Sequence, residues 1–265
     1  MKKLAVLALV LVLAAPAMPK DAQAADGRNQ DFARAQKAAE RGNAGAQAAL
    51  GWMCATGHGA PQDDAKAAQW FQKAAAQGHA GAQAALGWMS ATGRGVPQDD
   101  AEAAQWFQKA AAQGHAGAQN RLGAMYFGGY GVPKDESKAA GWFQKAAAQG
   151  YAKAQYRLGL MYLLGRGVIR DRRTGCDLLR ASARQGTEKA IELHKKYCAA
   201  EKADTPGKKV MVSKSDPGKR PLQAAPPPKA DSSQADLESR AELEKRLKDE
   251  VERLVTSSEL LGAVR

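Results

Sequence analysis

The chain has 265 residues, a net charge of +12, 25% charged residues and three cysteines. Such basicity could suit nucleic acid, but the N-terminus is of the export type and no base-reading motif is recognised, which excludes that class. Beyond the N-terminal run, no apolar segment is long enough to cross a membrane.

Met1-Lys2-Lys3 followed by an apolar run from Leu4 to Ala15 has the charged start and short apolar region of a secretory signal peptide. The run is too short for a stable anchor. Cleavage is expected after Ala24 or Ala17, giving a signal peptide over residues 1–24 and a mature chain in the periplasm or outside the cell. Residues 25–41 follow as an N-terminal capping helix. Within them Asp31–Arg41 lines up, one period back, with Ala67–Gln77, and Arg34, Lys37, Glu40 and Arg41 suit a helix that faces water on one side.

From Gly42 a unit of 36 residues recurs, beginning again at Gly78, Gly114 and Gly150, and the first two copies differ at only five positions. Such a period signals stacked supersecondary units. Each unit has two stretches with apolar residues spaced three and four apart, the pattern of a helix. Glycines at 57 and 59 are expected to end the first helix, and Asp63 or Asp64 to cap the second. Leu50, Met53, Trp70 and Phe71 supply bulk against Ala46, Gly51, Ala74 and Ala75, so large and small residues are expected to interdigitate.

The segments Ala-Gln-x-x-Leu-Gly-x-Met-Tyr at 118–126 and 154–162, Gly-x-Gly-Val at 129–132 and 165–168, and Ala-x-x-Trp-Phe-x-Lys-Ala-Ala-x-Gln-Gly in three second helices resemble the Sel-one-like repeats (SLR), a branch of the tetratricopeptide-like (TPR-like) solenoids. The resemblance covers roughly residues 31–200. It implies an all-α fold, a right-handed α/α solenoid of helix pairs, and an adaptor or regulatory scaffold. The repeats are placed at 42–77, 78–113, 114–149 and 150–185, with a closing cap at 186–200.

Repeat four departs from the others, with Leu178 and Leu179 in place of Trp-Phe and Ile169 in place of the turn proline. It also carries the basic patch Arg166, Arg170, Arg172, Arg173, Arg180 and Arg184. Residues 201–233 shift to Pro, Lys, Ser and Ala, a disordered basic linker. An amphipathic C-terminal helix is expected over 234–265, with Leu243, Leu247, Val251 and Leu254 on one face. Repeat four carries +6, the 201–230 stretch +4, and residues 231–265 carry −3, so the tail is a candidate to dock on the basic repeat.

In solenoids of this kind, first helices line the concave side. Positions 48, 49 and 52 vary between repeats while 46, 50, 51 and 53 keep their packing character, which puts the variable set on another face. Partner binding is therefore expected at Trp52, Trp88, Asn120, Arg121, Tyr156, Arg157 and Leu160, residue types common in binding hot spots. The expected partner is a protein that is acidic or has an acidic segment; peptidoglycan or an anionic envelope surface is the second reading.

An exported chain meets an oxidising compartment. Cys176 begins the second helix of repeat four and Cys198 ends the antiparallel first helix after it, so a disulfide between them is expected to pin the cap, with Cys54 left as a small buried filler. His58, His79 and His115 have no acidic or thiol partner at ligand spacing, and no metal or cofactor is expected. Some cysteine-rich relatives in this family have been named β-lactamases or penicillin-binding proteins. No Ser-x-x-Lys, Gly-x-Ser-x-Gly or nucleophile with an orienting base occurs in the repeats, so the chain is read as non-enzymatic, with a β-lactamase-like hydrolase as the least favoured reading.

Overall fold

A computed structural model describes residues 20–198 together with Lys245 and Asp249, both of which are helical and exposed. The expected signal peptide before Lys20, the linker at 201–233 and the rest of the C-terminal helix lie outside the described residues, as does the tail docking expected from them. No described helix is long and apolar enough to cross a membrane.

Among the described residues the fold is all-α, of the α/α solenoid class. Its helices are α1 (Lys20–Glu40), α2 (Ala44–Thr56), α3 (Asp64–Ala76), α4 (Ala80–Thr92), α5 (Asp100–Ala112), α6 (Ala116–Gly128), α7 (Glu136–Ala148), α8 (Ala152–Leu164), α9 (Arg172–Arg184) and α10 (Glu188–Cys198). The capping helix starts at Lys20, ahead of the expected residue 25. Residues 20–118 with 130–132 form one compact unit, and 119–129 with 133–198 form another, the boundary falling within α6.

The sequence explains where helices stop. Gly57 takes the left-handed conformation, φ 71°, and its N–H bonds to the carbonyl of Met53, as its lack of a Cβ allows. Of the two candidate caps, Asp63 is the one used: its carboxylate accepts the N–H of Lys66 at 2.9 Å. That hydrogen bond holds the Asp63 carboxyl below the usual carboxylate range. Asp64 reaches outward instead, to Arg94.

Within the first unit the core is built from Leu50, Phe71, Ala74, Leu86 and Met89, with Phe32 and Ala35 of α1 packed against it. Each second-helix phenylalanine sits on a first-helix glycine. A Cβ on Gly51 would come within 2.7 Å of the Phe71 ring, and one on Gly123 within 2.8 Å of Phe143. In repeat four Leu179 replaces the phenylalanine and two glycines meet: a Cβ on Gly175 would lie 2.9 Å from the Gly159 carbonyl oxygen. The smaller leucine is accommodated by that closer helix approach.

Buried glutamines join one helix to the next. Gln47 donates to the Ala39 carbonyl at 3.1 Å and accepts from Gln77 at 2.7 Å. Gln83 does the same with Ala75 and Gln113, and in the second unit Gln155 does so with Ala147 and Gln185. Each acceptor carbonyl lies in the last turn of its helix and also receives the N–H of the following glycine, Gly42, Gly78 or Gly150, so an otherwise costly buried amide is satisfied at both ends.

Candidate functional site

The variable face predicted on the first helices is resolved differently in each unit. On α2, Gly45, Ala49, Trp52 and Thr56 are exposed, while Ala48 is buried. These spacings of four, three and four residues define one helix face, rotated from the predicted 48, 49 and 52. Trp52 stands out from it, 52% exposed, its ring in a T-shaped contact with that of Phe71 at 5.2 Å between ring centres. On α4, Trp88 is half-buried and the Arg94 guanidinium lies 4.9 Å from its ring centre.

In the second unit two of the seven predicted binding residues are interior. Asn120 is 2% exposed and Leu160 is 6% exposed. Leu160 belongs to the hydrophobic cluster of the terminal cap, with Leu163, Cys176, Leu193 and Tyr197. Asn120 instead serves another predicted residue, accepting a hydrogen bond from Nη1 of Arg157 at 2.8 Å. The direct-contact assignment of Asn120 and Leu160 is therefore corrected: both hold structure together. Arg121, Tyr156 and Arg157 are half-buried. Burial pushes the guanidinium of Arg157 down to about 10, with the Arg121 charge adding to the push, and burial lowers Arg121 in the same sense.

The predicted basic patch is also divided. Arg166 pairs with Glu136 and its guanidinium lies 4.5 Å from the Phe127 ring centre. Arg172 donates to the Tyr197 carbonyl at 2.7 Å, and Arg180 bonds Asp177 at 2.9 Å and His194 at 3.2 Å. Arg166 is half-buried, whereas Arg170, Arg172, Arg173, Arg180 and Arg184 are exposed, so most of the expected patch meets solvent even where a side chain also bonds within the chain. For Arg166 the telling spacing is 30 residues: Arg94 reaches Asp64 and Arg166 reaches Glu136, each from a turn to the start of the previous repeat's second helix.

That pairing makes an acid-sensitive contact. The hydrogen bond from Arg166 and its charge hold the Glu136 carboxyl below its ordinary value of 4.5. A carboxyl lowered by folding contributes stability above its unfolded pKa and loses it as pH falls through the folded one. Thermal melts should therefore be level above about pH 5 and fall below about 4.5. Glu136→Gln should cost about 1 kcal/mol at pH 7 and flatten that acid limb; an unchanged limb rejects the assignment.

Two of the four histidines cap helices. Nδ1 of His79 accepts the Ala82 N–H at 3.1 Å, and Nδ1 of His115 accepts the Ala118 N–H at 3.0 Å, where Asn43 serves α2. No group of metal-ligating side chains occurs among the described residues. The second-helix tryptophans are half-buried, Trp70 and Trp106 packing on the edge of the first unit's core, and Lys73, Lys109 and Lys145 lie 4.1, 4.1 and 4.0 Å from the ring centres of Trp70, Trp106 and Trp142. Cys176 and Cys198 are disulfide-bonded, and Cys54 is free, buried and raised in pKa by that burial.

A family model described as Sel1 repeat matches residues 44–79, 80–115, 116–151 and 152–187, a frame two residues later than the repeats read from the glycines. Among solved structures, a protective antigen present in uropathogenic Escherichia coli strains, displaying an SLR fold, is 36% identical with a TM-score of 0.61. That match covers 64% of this chain and 36% of the other. A Sel1 repeat protein from Oxalobacter formigenes is 37% identical with a TM-score of 0.60, covering 64% and 49%. The chain thus spans about half or less of the length of these two relatives. No curated protein matches it.

Proposed function

Since the chain belongs to the Sel1 repeat family, whose repeats commonly act as protein–protein interaction scaffolds, we propose that it is an exported, non-enzymatic scaffold, an adaptor or regulator in the bacterial envelope, that binds a protein through its first helices. The observation that carries this reading is Trp52. A half-exposed indole rising from a face of Gly45, Ala49 and Thr56 has the residue type and the surroundings of a binding anchor. Export rests on the charged start and apolar run of residues 1–24.

Catalysis has no support in the one free thiol, because a buried cysteine with a raised pKa is the opposite of an activated nucleophile. The cell-wall reading rests on the arginines of repeat four: Arg166 is held by Glu136, while Arg170, Arg172, Arg173, Arg180 and Arg184 are exposed. It is the second of the two readings, since charge alone supplies no binding anchor.

A photocrosslinking residue placed at position 52 should capture a discrete partner band in intact cells. The same residue at exposed Gln72 of α3 should not. Bands of equal strength from both sites, or none from position 52, reject the reading.

A further inference from the structure

The first helices α2, α4, α6 and α8 contain no aspartate or glutamate. The carboxylates of the four repeats lie in the second helices or at their caps. Two arginines in the second unit stand out against that background. Arg121 on α6 and Arg157 on α8 occupy one repeat position, a single period apart, and the bond from Arg157 to Asn120 shows that the two helices run side by side there. The Arg157 guanidinium also lies 5.7 Å from the Phe143 ring centre. Exposed Lys153, one turn before Arg157 on α8 and on the same face, adds a third positive charge.

Arginine elsewhere in this chain shows what a purely structural role looks like. Arg94 and Arg166 each have a carboxylate across the repeat junction, Asp64 and Glu136. Arg157 has none among the described residues; its hydrogen bond is to a neutral amide. A guanidinium drawn partly out of water beside a second positive charge, with no carboxylate of its own among the described residues, carries a cost. Position 49 of repeat one and position 85 of repeat two are alanines, so the fold does not require arginine at this place. A guanidinium matches the planar, two-oxygen geometry of a carboxylate, and an arriving carboxylate would relieve the repulsion between the two.

We propose that Arg121 and Arg157, with Asn120 bracing Arg157, form a seat for a carboxylate of an acidic peptide segment in the protein partner. This rests on the scaffold reading and names the chemistry its partner must bring. Lys153 supplies longer-range attraction that speeds encounter without fixing geometry.

The test is fluorescence polarisation of the full-length mature chain with three labelled peptides: hexaglutamate with an amidated end, hexaglutamine with a free end, and hexaglutamine with an amidated end. Binding of the first, or of the second, over the third supports the seat and tells whether a side-chain or a terminal carboxylate fills it. Arg121→Gln should then weaken that peptide by tenfold or more, and Arg157→Lys should weaken it as well, since a lysine cannot hold both oxygens. The far-ultraviolet dichroism melt must stay cooperative in each variant; where one fails to fold, the other decides. No preference among the three peptides, or affinity unchanged in the folded variants, overturns the proposal. The chain's own acidic tail is the rival occupant. If hexaglutamate binds only after Glu242, Glu244, Asp249, Glu250 and Glu252 are changed to amides, the tail fills the seat and the partner assignment is overturned. Failure of these peptides together with a specific crosslink at position 52 would remove the seat and leave the scaffold reading standing.

Discussion

Changing Cys176 and Cys198 together to alanine is expected to lower stability by about 3 kcal/mol and to loosen the C-terminal end before the rest. The two cysteines are 22 residues apart with Cα atoms at 5.6 Å, and closing a loop of that size constrains the unfolded chain by about 3 kcal/mol. Location decides how the loss is expressed. The half-cystines lie in one apolar cluster with Leu179, Leu193 and Tyr197, and α10 has no further repeat over it among the described residues. In a stacked array the terminal unit has one neighbour instead of two. Hydrogen exchange should thus show α9 and α10 losing protection in the double variant while α2 to α5 keep theirs. Uniform loss along the chain, or no loss, rejects a local role. Cys54→Ser provides the contrast: a single polar group placed in the first unit's core, with no effect on exchange at α10.

The second large effect is expected at the repeat junctions. Gly95 and Gly167 both take positive φ, 71° and 66°, and each turn lies against the start of the previous repeat's second helix. A Cβ on Gly167 would fall on the carbonyl of Glu136 and come within 2.9 Å of the Ser137 nitrogen, and one on Gly95 would meet Asp64 in the same way. The left-handed backbone alone costs an alanine about 1 kcal/mol, and forcing backbone apart in a packed junction adds about 1–3 kcal/mol. Gly95→Ala and Gly167→Ala should each lose about 2–4 kcal/mol by denaturant unfolding. Gly78→Ala shares the positive φ, 84°, but has no atom within 4 Å of the added carbon, so it should lose only about 1 kcal/mol. If the three variants are equally destabilised, backbone conformation and not junction packing is what these glycines serve.

The 36-residue period made the helix pairs legible, because glycine at the turns, aspartate at the caps and apolar spacing within helices are local signals. Even the disulfide could be placed, since it joins the ends of two helices adjacent in the chain. The partner-binding face was legible only in part. Comparing repeats identified which positions vary, and Trp52 is exposed as expected, yet Asn120 and Leu160 vary and are buried. A position can vary because its contacts change from repeat to repeat: Trp52 meets solvent where Leu160 meets the cap.

By itself, the sequence determined the fold class, the helix boundaries within a few residues, the cysteine pairing and the sign of the charge on each repeat, all of which depend on residues close in the chain or on strict repetition. Only the tertiary structure decided that Asp63 caps while Asp64 reaches Arg94, that Arg166 is held by Glu136, that glutamines bridge successive helices, and that Arg157 rests on Asn120. Apart from the Asp63 cap, which spans three residues, those contacts span 30 to 37 residues and depend on how far each helix is turned about its axis. A few tens of degrees move a side chain from water to core, and helical periodicity alone carries no information about the neighbour that selects the angle.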